Sequence, residues 1–368
     1  MLIKKKEIAL LLIFLSLVVT NLFAENYYFK RYDKENGLSQ QTVFCAVQDR
    51  RGFLWFGTKV GLNRFDGTKF KNYVADPEQP NSLPNNTVLA LAEAPDGSLW
   101  LGTSDGLCTY NPEKDTFTPF VSADLTIEGL IDNLVFDKQG NLWVINSKGI
   151  YCLDVKNGNH KFFAASDFFV PTGITVTQSG SVWVLGLDGN IYLFNPQRME
   201  FSSYPILTKE EKTKHILLYR ILECSNGDLV VTTDRIGARR FSPNNGEVKV
   251  LFSNDSQNNP IYIHTAIQRN KDEFWFGTES GIHIYQLDLG FIDHLQKSYN
   301  DAYSLSDNAV HMLLKDREEG IWVGTFFGGV NYLSSNNTLF DKYLPKDEKG
   351  SIKAVSYTHL RAHETDSY

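Results

Sequence analysis

The sequence predicts an all-β protein made of one repeated unit of four short antiparallel strands. Three observations carry that prediction. The stretch Gly52-Phe53-Leu54-Trp55-Phe56-Gly57-Thr58-Lys59-Val60-Gly61-Leu62 returns as Gly97-Ser98-Leu99-Trp100-Leu101-Gly102-Thr103-Ser104-Asp105-Gly106-Leu107. All six tryptophans, Trp55, Trp100, Trp143, Trp183, Trp275 and Trp322, fall at the corresponding place in such a unit. Turn residues punctuate the gaps between short apolar runs, and no segment sustains the 3.6-residue period of an amphipathic helix.

The interval from Trp183 to Trp275 is twice the usual step. In its middle, Gly227-Asp228-Leu229-Val230-Val231-Thr232-Thr233 supplies a unit in which Val230 takes the tryptophan's place. With Val230 included, successive positions lie 45, 43, 40, 47, 45 and 47 residues apart, so seven units run from about residue 38 to about residue 343. In the second unit, residues 88–92 form an apolar strand that ends at Pro95-Asp96-Gly97. Residues 99–103, 107–110 and 116–120 give the other three strands, with Asn111-Pro112 closing the third. Four antiparallel strands repeated every ~40–45 residues is the signature of a propeller blade. An open β-solenoid would repeat at much shorter spacing. The expected architecture is therefore a seven-bladed β-propeller of four-stranded antiparallel blades. Residues 209–222 have room for a helical turn, but part of that stretch is needed as the first strand of the fifth unit.

The repeated residues have local reasons. Gly61, Gly106, Gly149, Gly189, Gly281 and Gly328 each lie six residues after their tryptophan, and Gly237 lies seven after Val230. A turn between the second and third strands, needing positive φ or close backbone approach, calls for glycine there. The tryptophans supply large apolar plates suited to the space between neighbouring sheets.

The ends read differently. Lys4-Lys5-Lys6, an apolar run over residues 8–19 and a possible cleavage point after Ala24 mark residues 1–24 as an export signal. An uncleaved anchor is the alternative, because Leu22 is larger than the usual small residue of a cleavage site. Residues 25–352 form the propeller region, and residues 353–368 a foreign or unstructured tail. Asp347 to Ile352 repeats the lead-ins Asp76 to Leu83 and Asn300 to Leu305, yet a polar, unpatterned stretch follows it where another unit should begin. That tail resembles translated sequencing-adaptor read-through, which implies a gene truncated after Ile352; a natural disordered tail is the alternative. Two segments, residues 28–32 and 339–343, resemble an outer fourth strand, and one of them should complete the seventh blade.

Composition excludes several classes. Hydrophobic residues at 42% and charged residues at 21% suit a folded protein rather than a disordered one. The formal charge of −7 has no basic concentration outside the N-terminus, so no nucleic-acid contact is expected. Cys45, Cys108, Cys152 and Cys224 fall at unlike positions in different units and read as small core residues. No C-x-x-C or H-E-x-x-H spacing announces metal, redox or hydrolytic chemistry, and neither a cofactor nor a metal is expected.

Glu35-Asn36-Gly37-Leu38-Ser39-Gln40-Gln41-Thr42-Val43, the unit 52–58 and Gly61-Leu62-Asn63-Arg64-Phe65-Asp66-Gly67 together carry a resemblance. They look like the opening of the periplasmic sensor of hybrid two-component regulators typical of Bacteroidetes, built from two-component-regulator propeller repeats. Ile321-Trp322-Val323-Gly324-Thr325-Phe326-Phe327-Gly328-Gly329-Val330-Asn331-Tyr332 resembles the blade that closes the first propeller there. Units three to five depart from the pattern, with Ile145-Asn146 and Leu185-Gly186 where Gly-Thr should stand. The resemblance implies a periplasmic location, a second propeller and a β-sandwich downstream, a membrane anchor, a homodimer, a histidine kinase beyond the membrane, and oligosaccharide ligands. None of the kinase machinery is in this sequence, so the chain itself is expected to be non-catalytic.

Loops before the first strand and between the second and third strands usually share one face of a propeller. Here they carry Gln40, Gln41, Asn85, Asn86, Asp307 and Asn308, together with Asp105, Lys148, Arg235, Glu279, Phe326 and Phe327. Amides and carboxylates hydrogen-bond sugar hydroxyls and exposed rings stack on sugar faces, so these residues form the candidate ligand site, with Phe326 and Phe327 foremost. Turn-capping by the Asn and Gln residues, and packing by the two phenylalanines, are the structural alternatives. His264 and His311, in the first strands of units six and seven, could face the central channel. A seven-bladed lyase of the virginiamycin-inactivating type uses a histidine in such a place, but no partnered carboxylate follows from the spacing. His283, between Ile282 and Ile284, reads as a wall residue. A secreted lyase and a purely structural interaction scaffold are the rival functions.

Overall fold

The computed structural model describes residues 27–121, 125–166 and 169–335; the export segment, the tail and residues 339–343 lie outside the described residues. Seven four-stranded antiparallel sheets account for the strands. The first is built from β2 (Val43–Gln48), β3 (Leu54–Thr58), β4 (Gly61–Phe65) and β5 (Phe70–Tyr73), in that spatial order. The other blades repeat the meander. Their first strands are β6 (Val88–Glu93), β10 (Asn133–Phe136), β14 (Pro171–Val176), β18 (Leu218–Glu223), β22 (Ile263–Gln268) and β26 (Val310–Lys315). Consecutive first strands touch in a closed ring, the seventh against the first, and so line a central channel. The stretch that could hold a helical turn does so over Lys209–Lys212, before the fifth blade's first strand begins.

The seventh blade settles how the ring closes. Its strands β26, β27 (Ile321–Thr325) and β28 (Val330–Leu333) are completed by β1 (Lys30–Tyr32), which pairs antiparallel with β28. The N-terminal segment, not residues 339–343, thus covers the last edge. Tyr32 carries this closure into the core. Its ring lies 5.8 Å from Trp322 of blade seven and 5.1 Å from Phe65 of blade one. Arg31 adds hydrogen bonds to the carbonyls of Ser304 (2.9 Å) and Asp301 (3.2 Å).

The tryptophans do sit between sheets. Trp55 stacks on Tyr73 of its own blade and contacts Tyr110 of the next at 4.9 Å. Three of them share a clamp that the repeat pattern hides. Asp49, Asp137 and Asp316 lie six residues before Trp55, Trp143 and Trp322, are buried, and accept the indole N–H at 2.9, 2.9 and 2.8 Å. Each also accepts two backbone N–H groups of the intervening turn, as Asp316 does from Glu318 and Gly320. A buried carboxylate is stable there because several donors replace its water.

The Gly-Thr pair serves two purposes. A Cβ on Gly57, Gly277 or Gly324 would stand 2.7–2.9 Å from Val88, Val310 or Val43 at the head of the following blade's first strand, and one on Gly102 would stand 2.4 Å from the carbonyl of Ile131, just before that strand. Glycine lets adjacent blades approach. The threonine closes the next turn: Thr58 donates to the Gly61 carbonyl at 2.8 Å and accepts from Val60 N–H. Gly61 has φ 99°, as the turn requires. In blade seven the expectation for Gly328 needs correcting. The turn is one residue longer, so the positive φ falls on Gly329 at 77°, and Thr325 donates to the Gly329 carbonyl. Gly328 is needed for room instead, since a Cβ there would stand 2.3 Å from Ser306 Oγ.

The lead-ins matched in sequence are also matched in structure. Ser82 Oγ bridges the N–H and carbonyl of Asp76, and Ser304 Oγ does the same at Ser298, with Leu83 and Leu305 buried behind them.

Because Tyr32 is buried and joins the first and last blades, Tyr32→Ala should lower the unfolding free energy by about 3 kcal/mol or more. Lys30→Ala, which removes an exposed ammonium 4.9 Å over the Tyr32 ring, should cost no more than about 1 kcal/mol. Urea unfolding followed by tryptophan fluorescence measures both; equal effects would mean that β1 does not close the ring.

Candidate functional site

A β-bulge recurs at one place in the first strand of six blades. The register slips between Val43 and Cys45, Val88 and Ala90, Pro171 and Gly173, Leu218 and Arg220, Ile263 and Thr265, and Val310 and Met312. A bulge leaves one residue unpaired and re-aims its side chain. The residues so placed are Phe44, Leu89, Thr172, Tyr219, His264 and His311, a ring around one end of the channel.

On the side of blades five to seven this ring becomes a chain of aromatic contacts. Tyr219 meets His264 edge-on at 5.4 Å, His264 stacks on His311 at 4.2 Å, His311 lies 5.2 Å from Phe326, and Phe326 meets Phe327 at 4.6 Å. Phe326 is half-buried and anchored by the hydroxyl of Thr42, which donates to its carbonyl at 2.7 Å; Phe327 is 69% exposed. The two phenylalanines singled out from sequence are thus one end of a five-ring arc.

The other end opens into a cavity of about 380 Å³. Tyr219, Arg220, Asp132, Asn133, Asn146, Pro171, Leu187 and Leu217 help to line it, so it lies over blades three to five. Arg220 reaches across the channel, donating to the His264 carbonyl at 3.2 Å and to Asn133 Oδ1 at 3.5 Å. It forms no ion pair among the described residues, which leaves guanidinium donors available to a ligand. The cavity occupies the blades that depart most from the repeat. Ile145, Leu185 and, in blade five, Thr232 stand where blades one, two, six and seven have the glycine that lets sheets close together, and Ile145 is part of the cavity wall.

The polar residues expected from sequence are placed on this same face, largely engaged in holding their own loops. Gln40 Oε1 accepts the Thr42 N–H, and Asn85 Oδ1 accepts those of Thr87 (2.8 Å) and, from the side chain, Ser104 (3.0 Å). Asn86 and Asn308 each accept a backbone N–H eleven residues back, from Ala75 and Lys297, at 2.7 Å. Asp307 accepts the Phe327 N–H at 3.1 Å, and the Gln41 carbonyl accepts that of Gly329. Arg235 pairs with Asp234 and donates to the His215 carbonyl. None of these residues lines the cavity. Sequence reasoning missed Tyr219, Arg220, Asp132 and Asn133; the only signal available was their place at or beside the start of a first strand.

The carboxylate that spacing could not assign to the histidines is Glu279, in the loop after the second strand of blade six. Its Oε1 lies 2.5 Å from His264 Nε2 and 3.8 Å from His311 Nε2. Burial, and then the neighbouring His264, push the His311 imidazole down to about 4, against the opposing pull of Glu279 and Asp307. His283 is buried in its blade, stacked on His294 at 3.8 Å, and burial pushes it down to about 4 as well. The cysteines are free; Cys108 and Cys224 are buried, and burial pushes the Cys45 thiol up to about 12. No helix of the described residues is long and apolar enough to cross a membrane.

Comparison with known proteins gives the following. The family described as "two component regulator propeller" matches residues 37–59, 82–105 and 304–327. Over 53 residues the chain is 49% identical to Histidine kinase P4 of Formosa agariphila, a match covering 14% of this chain and 4% of that protein. Among solved structures it is similar to the extracellular domain of a hybrid two-component system from B. thetaiotaomicron, at 26% identity and TM-score 0.71, over 84% of this chain and 42% of that one. Virginiamycin B lyase from Staphylococcus aureus superimposes at TM-score 0.65 with 12% identity, over 84% of this chain and 100% of that one, a likeness of fold alone. The chain spans less than half the length of the two regulatory proteins it resembles.

The depressed His311 and His283 have a consequence for stability. Unfolded, each histidine takes up a proton near pH 6.5; folded, each stays neutral to about pH 4. The unfolded state therefore binds more protons between those values, and their contribution to stability, complete above pH 6.5, is lost as pH falls towards 4. His311→Phe should remove one proton's share of that slope, at most about 1.4 kcal/mol per pH unit. Urea midpoints at pH 7, 5.5 and 4.5 test it; parallel profiles for both proteins would refute the assignment.

Proposed function

We propose that this chain, a propeller of two-component-regulator repeats, is the ligand-sensing part of a hybrid two-component system and that its ligand is an oligosaccharide. The observation that carries the ligand class is the channel mouth: a five-ring arc continuous with a cavity whose wall offers amides, a carboxylate and Arg220. Rings present flat apolar faces to the C–H faces of sugars, while amide, carboxylate and guanidinium groups bond hydroxyls that leave water. The cavity volume suits a residue or two of a chain, and the open arc gives the remainder somewhere to lie.

In this reading the domain is a periplasmic binding module without catalysis of its own. It would be followed in the longer protein by a second propeller, a β-sandwich and a membrane anchor. Ligand bound at the channel mouth favours one arrangement of propeller and downstream sandwich in a homodimer. The histidine kinase across the membrane responds in proportion to the difference in affinity between the two arrangements. Likeness to an extracellular domain of a hybrid two-component system supports the location and the partner domains. Sequencing the full-length gene should show a further propeller and a kinase following this domain.

A panel of oligosaccharides titrated calorimetrically against the purified chain tests the ligand class. With a binding sugar in hand, Tyr219→Ala and Phe327→Ala should each weaken affinity about tenfold, equivalent to about 1.4 kcal/mol. Unchanged affinity in both variants would remove the arc from the site, and a panel with no binder would remove the ligand class.

A further inference from the structure

We propose that the channel mouth binds one divalent first-row transition-metal ion between His264, Glu279 and His311. Their nearest ligand atoms all lie within 4.8 Å of one another, and no other trio of such residues does so among the described residues. Two imidazoles and one carboxylate are the donor types that zinc-class ions take, with three protein ligands leaving further positions open. An ion about 2.0–2.2 Å from each donor needs those donors roughly 3.3 Å apart. The Glu279 carboxylate stands at 2.5 Å from one histidine and 3.8 Å from the other, so a small movement of this one side chain equalises the two. Glu279 is the exposed member, on a loop, its side chain 53% exposed and so with room to turn.

The two histidines are held side by side, and because an ion lies in the plane of each imidazole it binds, sharing one requires a ring to turn out of the stack. Each is the bulged residue of its first strand, in consecutive blades, which sets the rings face to face at 4.2 Å with a 15° tilt. Rings so placed repel when both are protonated, and a metal ligand must be neutral. Nδ1 of His264 is buried with no hydrogen-bond partner, so no second protein group fixes which ring nitrogen carries the proton. Glu279 alone now makes that choice, and an ion bound at Nε2 would put the proton on the buried Nδ1, a cost that the metal–ligand bonds have to exceed. The open positions of the ion would face the channel, between Tyr219 and Phe326. The proposal stands whether or not a saccharide binds.

The test uses the purified chain stripped of metal. Zn²⁺ followed by calorimetry at pH 7.5 should show one equivalent bound, with the thermal midpoint raised, and Co²⁺ should give visible absorption bands of a low-coordinate N/O site. His264→Gln, His311→Gln and Glu279→Gln should each lower affinity by tenfold or more, whereas His283→Gln, at the histidine pair outside the channel, should leave it unchanged. Glu279 is exposed, so its variant decides if either histidine variant fails to fold. No one-equivalent binding to the parent chain, or Zn²⁺ affinity unaffected by Glu279→Gln, would overturn the proposal and leave the trio as a hydrogen-bonded pair beside a neutral histidine.

Discussion

The pairing of β1 with β28 is the constraint on which the rest depends. Each blade is a four-stranded sheet with apolar residues on both faces, and it can bury them only against its neighbours. In a row of seven, two outer faces would remain wet; in a circle none does. Three residues from the start of the chain, Lys30–Tyr32, convert the row into the circle, with Tyr32 packed against Trp322 on one side and Phe65 on the other. The same step gives the seventh blade the outer fourth strand that the other six blades supply themselves. Closure also fixes the channel: only a closed ring sets Phe326 of the last blade where Thr42 of the first blade can hold it.

Much of the architecture was legible in sequence because a blade is a local object. The tryptophan spacing, the Gly-Thr pair and the lead-ins around Ser82 and Ser304 are contacts made within a unit or with the next, and their residues recur at fixed steps. What did not recur was not legible. The six bulges are register slips, and register is a relation between two strands that leaves no mark on composition. The closing strand was ambiguous because residues 28–32 and 339–343 have similar patterns, and only pairing distinguishes them. Gly328 looked equivalent to its counterparts until one extra turn residue moved the left-handed conformation to Gly329.

The candidate site was half visible for the same reason. Phe326 and Phe327 stood out as aromatic residues in a loop that is otherwise small or polar, and they do lie at the channel mouth. Their continuation through His311, His264 and Tyr219 joins three blades across intervals of about one repeat each, and nothing in spacing predicts which bulged residues are aromatic. Glu279 could not be matched to its histidines because the pairing needs both the bulge and the turn geometry of blade six. Conversely, the amides at positions 40, 85, 86 and 308 fit sugar chemistry by type, but the backbone N–H groups beside them take up their acceptor oxygens.

The degenerate blades are where the propeller is most informative. A glycine in the second strand exists so that the next blade's first strand can approach, as Gly57 does with Val88 and Gly102 with Ile131. Ile145 in blade three and Leu185 in blade four put branched side chains at that position, Leu185 opposite Gly173 of its own first strand. The cavity lies over blades three to five, with Ile145 in its wall. Loss of the repeat pattern in these units is thus loss of a close-packing device. Blades five to seven present the aromatic arc, and the cavity over blades three to five lies beside it.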